Sequence, residues 1–361
     1  MSSFTIKTAT LQSITNRVIK GAGNNKYNPI TSLVGVSVED NKMSMTTTDG
    51  ETYFTLSSPV TCDESLSFTV DAATFCRIVS KTTVDTFKIT VNDDVIVLHG
   101  NGTYKIDIQL DVDGAPLKFQ NYTINSPAYE GTIKTRDIRD VIVYNKASLS
   151  EDGNLPCVKN YYCYEDAVVS ADSRNITKND IKLFGAPALI APNVFELLSL
   201  CEDEEIAFGM SDRHIMFSTD TMKLFTVIKD GVSEYPMHIV DAAISVEYPS
   251  QCTLPKTVTL NVIDRLSLFI KSNDTSAVML TFCKDSVKVE TLNHKGIESI
   301  AYQGSNNFAD FSCVVDIDIF RKEVASRAGE SFNLFYGGDN ATTIAIKDGG
   351  VTQVMSLYPN Q

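Results

Sequence analysis

The feature that most constrains the fold of this chain is a local pattern that occurs three times. In each copy an apolar strand end leads into a short helix with a phenylalanine at a fixed offset: Val70 to Phe75, Ile190 to Phe195 and Val315 to Phe320. The copies start about 120 residues apart, which is the size of a small domain and far longer than a solenoid repeat. We therefore expect three similar domains in one chain.

Each copy is predicted to open with a short strand and an amphipathic helix. Apolar residues at helical spacing place these helices near residues 8–20, 135–147 and 261–271, the last of them after a strand at Val258-Thr259-Leu260. Strand pairs with alternating β-branched residues follow in each copy. The predicted fold class is α+β, with two short helices packed on antiparallel sheets of roughly eight strands per domain. The domains would span residues 1–122, 123–246 and 247–361.

Open strand edges are a consequence of this architecture. Two short helices cannot cover two sheets completely, so edges at the ends of each domain stay exposed unless a neighbour pairs with them. Edge pairing between successive domains, and then between chains, would close a ring.

Composition narrows the function classes. The chain has no apolar run of about 18 residues that could span a membrane, and its start lacks the pattern of a signal peptide, so we expect a cytoplasmic protein. The eight cysteines form no C-x-x-C pair, which indicates free, mostly buried thiols. The net charge of −14 argues against a general nucleic-acid binder, so any DNA contact must use a local basic surface.

Cations nevertheless lie opposite the apolar stripes of several predicted helices. They are Arg17 and Lys20, then Arg77 and Lys81, then Arg136, Arg139 and Lys146, and finally Lys322. Exposed helix faces carry charge in most soluble proteins, but the recurrence favours a surface that faces phosphates. The helix from Pro192 departs from the pattern, since it ends in Glu202-Asp203-Glu204-Glu205.

Sequence motifs for catalysis are absent. The chain has no phosphate-binding loop, dinucleotide fingerprint or nucleophile elbow, and no two of its four histidines have metal-ligand spacing. Asp49 and Asp172 follow strands at equivalent places in two copies, so we interpret them as turn residues. We therefore expect no enzyme, no cofactor and no metal. A β-rich binding or adhesion module without DNA function, and an enzyme that uses acidic residues at strand ends, are the alternatives.

Several segments resemble the β subunit of bacterial DNA polymerase III, the sliding clamp. They are Thr46-Thr47-Thr48-Asp49-Gly50-Glu51, Phe68 to Phe75, Asp230-Gly231 with Tyr235-Pro236, and Gln353 to Tyr358. The resemblance spans the full length and implies a head-to-tail homodimeric ring whose helices line a hole for double-stranded DNA. It also implies a processivity factor, associated with the nucleoid, that reads no sequence and tethers the replicative DNA polymerase. A clamp loader would open and close the ring.

The resemblance assigns further site residues. Lys26, in the loop from Gly23, joins the cations near DNA. The ring interface would join Tyr104, Ile106 and Ile108 of one chain to Phe269 and Ile270 of the other. A pocket for partner peptides would be formed by Val158, Ala171, Ser173, Arg174, Ile176, Pro236, Val240, Ala341, Thr343, Val354, Ser356 and Tyr358. Ser173 stands where the family usually has glycine, so we expect a different peptide preference.

Overall fold

The structure of the protein is a computed structural model that describes residues 2–62, 64–150, 154–271, 275–303, 307, 309–338 and 341–359. Its strands are β1 (Ser2–Lys7), β2 (Leu33–Glu39), β3 (Lys42–Thr48), β4 (Tyr53–Pro59), β5 (Leu66–Asp71), β6 (Thr86–Val91), β7 (Val95–His99), β8 (Thr103–Asp107), β9 (Tyr129–Lys134), β10 (Tyr161–Cys163), β11 (Val168–Ala171), β12 (Asn175–Asn179), β13 (Ala188–Ile190), β14 (Glu205–Met210), β15 (His214–Ser218), β16 (Met222–Val227), β17 (Ser250–Pro255), β18 (Ala277–Phe282), β19 (Ser286–Thr291), β20 (Ile297–Ala301), β21 (Phe311–Asp316), β22 (Ser331–Tyr336), β23 (Thr343–Asp348) and β24 (Val351–Ser356).

Seven α-helices occur in the described parts of the chain, and none of them is long and apolar enough to cross a membrane. They are α1 (Thr8–Val18), α2 (Ala72–Lys81), α3 (Thr135–Asn145), α4 (Pro192–Leu198), α5 (Met237–Ile244), α6 (Lys256–Ser267) and α7 (Ile317–Ser326).

The chain divides into two compact units, each with one large and one small antiparallel sheet. Unit 1 comprises Met1–Ile138 and Asn193–Ile228, and unit 2 comprises Arg139–Pro192 and Lys229–Gln361. Unit 1 holds the sheets β1-β6-β7-β8 and β5-β2-β3-β4-β16-β15-β14-β9. Unit 2 holds the sheets β20-β19-β18-β21 and β13-β10-β11-β12-β24-β23-β22-β17.

The strand orders contain one topology three times. Strands β1–β8, β9–β16 and β17–β24 each give a half-sheet of order 1-6-7-8 and a half-sheet of order 5-2-3-4. This confirms the α+β class, with eight described strands in each copy. The middle copy shares sheets with both neighbours, so the units divide it, and its proposed limits near residues 122 and 246 stay a prediction.

Neighbouring copies join in the same way at both junctions inside the chain. Strand β4 pairs with β16, and strand β12 pairs with β24, so in each case the fourth strand of one copy meets the eighth strand of the next. The register is also the same. Tyr53 lies opposite Phe225 and Ile176 lies opposite Val354, with Tyr53 and Ile176 each four residues after a turn aspartate.

The repeated phenylalanine motif forms the predicted strand-to-helix transitions at the starts of α2, α4 and α7. Asp71 and Asp316 cap two of these helices, since their carboxylates accept hydrogen bonds from backbone N–H groups of the first turn. The three phenylalanines are buried at 0–1% exposure. The motif therefore fixes a helix start and inserts a large side chain into the core beneath it.

The third copy begins differently from our prediction. Val258-Thr259-Leu260 lie inside α6, which starts at Lys256, and the strand is β17, Ser250–Pro255. Pro255 is the helix N-cap, and the Thr259 hydroxyl donates to its carbonyl, which accommodates a β-branched residue in the first turn. The prediction was wrong because Val258 and Leu260 imitate strand alternation.

The eight cysteines are all free thiols, as predicted. Six of them are buried, Cys62 is half-buried and Cys283 is exposed.

Candidate nucleic-acid interface and subunit edges

The cations around α1 differ in their availability. The Arg17 guanidinium lies 3.1 Å from the Glu202 carboxylate, and its side chain is only 21% exposed. Lys20 follows α1 on an exposed 3₁₀ turn, and Lys26 lies in the next loop beside Tyr27, which is 98% exposed. Arg17 is thus largely neutralised within unit 1, whereas Lys20 and Lys26 present their charges to solvent.

The α3 cations share one side of a single helix. Arg136 and Arg139 are exposed and three residues apart, so they project in similar directions. The Arg136 side chain is 79% exposed, and its contact with Asp137 is long at 3.7 Å. Lys146 is exposed on the 3₁₀ turn that continues α3. The buried side carries Ile138 and Val141, as predicted.

In the last copy, two arginines are tied to carboxylates. Arg265 lies 2.6 Å from Glu298, and Arg321 lies 2.7 Å from Asp264. Lys322 on α7 is exposed. Exposed surface pairs of this kind contribute about 0–1 kcal/mol to stability, so their main effect is to cancel positive charge near α6 and α7.

Arg77 and Lys81 lie on the exposed side of α2, where they line a groove of about 410 Å³. Its other lining residues are Ala73, Thr74, Ile78, Thr82 and Tyr104. The structure therefore brings two predicted DNA-facing side chains next to a predicted interface residue. Charge and exposed apolar surface occur together there, as at many protein–protein contacts.

Strand β8, on the far side of this groove, is the last strand of its sheet. Tyr104 is 40% exposed, but Ile106 and Ile108 are buried at 8% and 6% and belong to the core of unit 1. Of these three predicted interface residues, two on β8 and Ile108 directly after it, only Tyr104 offers a large surface to a partner.

Strand β20 is the corresponding open edge of unit 2. Phe269 is 46% exposed just after α6, whereas Ile270 is half-buried and packs against the core. Sequence reasoning missed two more exposed apolar residues here, Leu268 at 81% and Ile297 at 55%. Leu268 directly precedes the two predicted residues, so extending the apolar run by one position would have found it.

The twelve predicted pocket residues gather around the junction of β12 and β24. Val158, Ala171, Ile176 and Val240 belong to one buried apolar cluster, and Val354 is buried opposite Ile176. The remaining residues are exposed or half-buried around it: Ser173, Arg174, Pro236, Ala341, Thr343, Ser356 and Tyr358. Helix α5, which the sequence did not predict, adds Ile239 at 53% exposure.

A hydrogen-bond network formed by Arg174, Tyr358 and Asp316 borders one side of this region. The Arg174 guanidinium donates to the Tyr358 hydroxyl at 2.6 Å and to the Asp316 carboxylate at 2.8 Å. The backbone N–H of Tyr358 also donates to the carbonyl of Val314 at 2.9 Å. The C-terminal segment is thereby held to the edge of β21 and to the N-cap of α7.

Asp49 and Asp172 have the turn chemistry that was expected. Each carboxylate accepts two backbone N–H groups two and three residues further on. Among the described residues, no group of three His, Cys, Asp or Glu side chains could hold a metal ion.

Two ionisable side chains lie buried within unit 2, near the β12–β24 junction. Glu323 accepts hydrogen bonds from Asn175 at 2.9 Å and from Ser148 at 3.3 Å, and Arg327 is the C-cap residue of α7. Glu323 and Arg327 are 0% and 1% exposed. Burial raises the pKa of Glu323 to about 7, although Asn175 and Arg327 counteract the rise.

Comparison with known sequences gives one family match. Residues 2–118 match a sequence model of the DNA polymerase III beta subunit, N-terminal domain. No curated protein sequence matches the chain.

Solved structures match the chain over its length. The DNA polymerase sliding clamp of Bacillus subtilis has 18% identity and a TM-score of 0.85 over 100% of both chains. The DNA polymerase III beta subunit of Borrelia burgdorferi gives 15% and 0.87, and the sliding clamp of Bartonella birtlesii, bound to griselimycin, gives 14% and 0.85, again over 100% of both chains. At these identities the likeness shows a shared fold.

Proposed function

We propose that the protein is a DNA polymerase processivity factor, because residues 2–118 match the model of the DNA polymerase III beta subunit, N-terminal domain, and the whole chain has the sliding-clamp fold. In this proposal two copies join head to tail around duplex DNA, and the closed assembly tethers the replicative polymerase. The assembly does no chemistry itself, and a clamp loader opens and closes it.

The observation that carries the proposal is the pair of unmatched strand edges. Within the chain, the fourth strand of each copy pairs with the eighth strand of the next copy: β4 pairs with β16, and β12 pairs with β24. Among the described strands, this rule leaves β20 without an eighth strand and β8 without a fourth strand. The same antiparallel pairing between two chains would satisfy both edges twice and close the assembly.

Exposed apolar side chains support this joint. Leu268 and Phe269 stand beside β20, and the groove beside β8 is lined by Ala73, Ile78 and Tyr104. Removing a Leu or Phe side chain from water stabilises a contact by about 1.5–3 kcal/mol. We propose that Leu268 and Phe269 of one copy fill this groove of the other.

The exposed cations support sequence-independent DNA contact. Lys20, Lys26, Arg136, Arg139, Lys146 and Lys322 are exposed in a chain with a net charge of −14. Contacts from isolated lysines and arginines to phosphates give affinity without base readout and weaken with salt. Arg17 contributes less to this surface because of Glu202, and Arg77 and Lys81 are better suited to the joint than to DNA.

The region around β12, β24 and α5 is the proposed site for partner peptides of the polymerase and the loader. Exposed Ile239 beside the buried Val240 offers an apolar surface, and Arg174 offers a guanidinium. Such a mixture suits a short peptide with an apolar anchor and an acidic or polar flank.

The test of the function is topological. The protein is loaded by a clamp loader onto nicked circular DNA, and its release is followed before and after the circle is cut once. We expect release to accelerate by at least tenfold after cutting, because geometry holds the assembly and sliding off requires an end. Equal release from circle and linear DNA would contradict encirclement, and a protein that neither loads nor raises polymerase processivity would contradict the clamp role.

A further inference from the structure

A second cavity, separate from the edges and the peptide region, lies within unit 1. It has a volume of about 520 Å³ and is bounded by the large sheet and the chain segment at residues 117–121. Its floor is the face of β2–β5 opposite to the buried side chains, because successive residues of a strand alternate between faces. Val34, Val36 and Val38 point into the core, and Gly35 and Ser37 line the cavity.

The floor carries hydroxyl groups in two rows that cross the strands. In one row Thr46 pairs with Thr55, and their hydroxyls are 2.9 Å apart. In the next row Ser44 pairs with Ser57, also at 2.9 Å, and Ser37 lies opposite Ser44. Each hydroxyl has one donor and two acceptor sites, so these pairs retain capacity for a ligand.

The roof is fixed close to the floor. The Thr69 hydroxyl donates to the Leu117 carbonyl at 2.6 Å, and the Phe119 ring lies over Gly35. A Cβ at Gly35 would lie 2.5 Å from the ring, so glycine permits this contact. The ring thus closes one side of a hydroxyl-lined cleft.

Three lysines line the cleft without a carboxylate partner. The Lys42 ammonium donates to the Asp220 carbonyl at 3.0 Å, and the Lys223 ammonium donates to the Asn121 side chain at 2.7 Å; Lys118 is exposed at the rim. Among the described residues, no carboxylate lies within 4 Å of these ammonium groups, although Glu39 and Asp220 also line the cleft. Burial lowers the pKa of Lys223. An anion bound beside the ammonium group would raise that pKa again, because it favours the charged form.

We propose that this cleft binds a small phosphorylated ligand that also carries hydroxyl groups, of the class of sugar phosphates and nucleotides. Its volume falls within the range of small-molecule sites, roughly 300–1,000 Å³. Ammonium groups provide the charge for a phosphoryl group, and the serine and threonine rows match sugar hydroxyls, which also donate and accept. The site would be an addition to the clamp role and does not rest on it.

The test measures binding of three probes to the full chain by calorimetry: inorganic phosphate, ribose 5-phosphate and ATP without magnesium. We expect ribose 5-phosphate or ATP to bind at least tenfold more tightly than inorganic phosphate. The variant Lys223→Met should weaken that binding at least tenfold. Lys88→Met is the matched control, because it removes an exposed lysine of unit 1 that does not line the cleft.

Each outcome decides. Saturable binding that Lys223→Met weakens and Lys88→Met leaves unchanged supports the site. No binding of any probe at millimolar concentration, or equal weakening in both variants, overturns it. A Lys223→Met variant with lowered thermal stability is replaced by Lys118→Met, whose exposed side chain is not part of the packing, and the same criterion applies.

Discussion

At the scale of single residues, neighbours from distant parts of the chain decide which charged side chains remain available to bind a ligand. Arg17 belongs to the predicted cationic set, yet Glu202, far along the chain, neutralises it. Helical spacing identifies the solvent side of α1, but it cannot reveal that Glu202 approaches the same place. The acidic run Glu202-Asp203-Glu204-Glu205, predicted as a helix end, lies in the segment after α4, which ends at Leu198. The exposed state of Lys20, Arg136 and Arg139 was predictable because helical spacing places them on the side opposite the apolar residues of their helices.

We expect reversal of Arg136 and Arg139 to Glu to weaken retention on DNA without unfolding the protein, because both side chains are exposed. Each lost phosphate contact should lower the slope of log affinity against log salt by about 0.9. The measurement is DNA retention and polymerase stimulation between low and moderate salt. Lys88→Glu with Arg213→Glu is a control of equal charge on exposed residues; equal losses in both double variants would refute the assignment of α3.

Glu323 should make stability depend on pH. The pKa of Glu323 in the folded protein is about 7, above the ordinary 4.5. The contribution of Glu323 to the free energy of unfolding is therefore complete below pH 4.5 and is lost as pH rises to about 7. At 1.36 kcal/mol per pKa unit the loss is about 3 kcal/mol. The variant Glu323→Gln keeps an oxygen to accept from Asn175 and should flatten this part of the profile.

The free energy of unfolding in denaturant at several pH values between 4.5 and 8 measures this effect. Glu330→Gln is the control, since Glu330 is exposed. An unchanged slope in Glu323→Gln would mean that other groups carry the pH dependence.

At the scale of elements, the sequence predicted most of what local signals specify. A capped helix over the core is predicted by Asp71 with Phe75 and by Asp316 with Phe320, and both helices, α2 and α7, form there. Local signals failed at α6, where Val258 and Thr259 resemble a strand, and at α5, whose eight residues give too short a pattern to recognise. The partners of strand edges could not be predicted, because pairing depends on residues more than 100 positions apart.

We expect the C-terminal segment to contribute to the binding of partner peptides more than to the stability of the fold. Removing Tyr358 and the residues after it leaves β24 intact and removes the hydroxyl to which the Arg174 guanidinium donates. We expect weaker binding of polymerase peptides by at least severalfold and an unchanged dimer mass. Fluorescence polarisation with a labelled peptide and light scattering measure these properties; Glu330→Gln, an exposed residue outside the predicted pocket, is the control. Loss of the dimer would move the segment to the subunit joint.

The edge beside β20 should carry the joint. In the proposed joint, Leu268→Asp would place a charge where the groove of the other copy excludes water, so we expect dimer dissociation to increase by at least tenfold. Sedimentation over a range of concentrations measures it. Ile239→Asp, at another exposed apolar residue, should leave the dimer intact. If both variants dissociate equally, the joint does not depend on Leu268.

At the scale of the whole molecule, unlike edges make a mixing experiment informative. Tyr104→Asp damages only the β8 side, and Leu268→Asp damages only the β20 side. Mixed together, the two variants should form a dimer through the one joint whose sides are both intact, while the second joint carries both defects. We therefore expect dimer mass by sedimentation but rapid release from circular DNA. Two monomers after mixing, or a dimer that is retained as well as wild type, would rule out head-to-tail joining.

The pairing of a fourth strand with an eighth strand has a directional consequence. Because β20 and β8 are different edges, two copies joined through them in the proposed assembly would be related by rotation, and the two faces of that assembly would be chemically distinct. Both copies would then present α5 and the C-terminal segment toward the same side. A polymerase bound there would be oriented along the duplex, so the direction of travel would be set at the moment of loading.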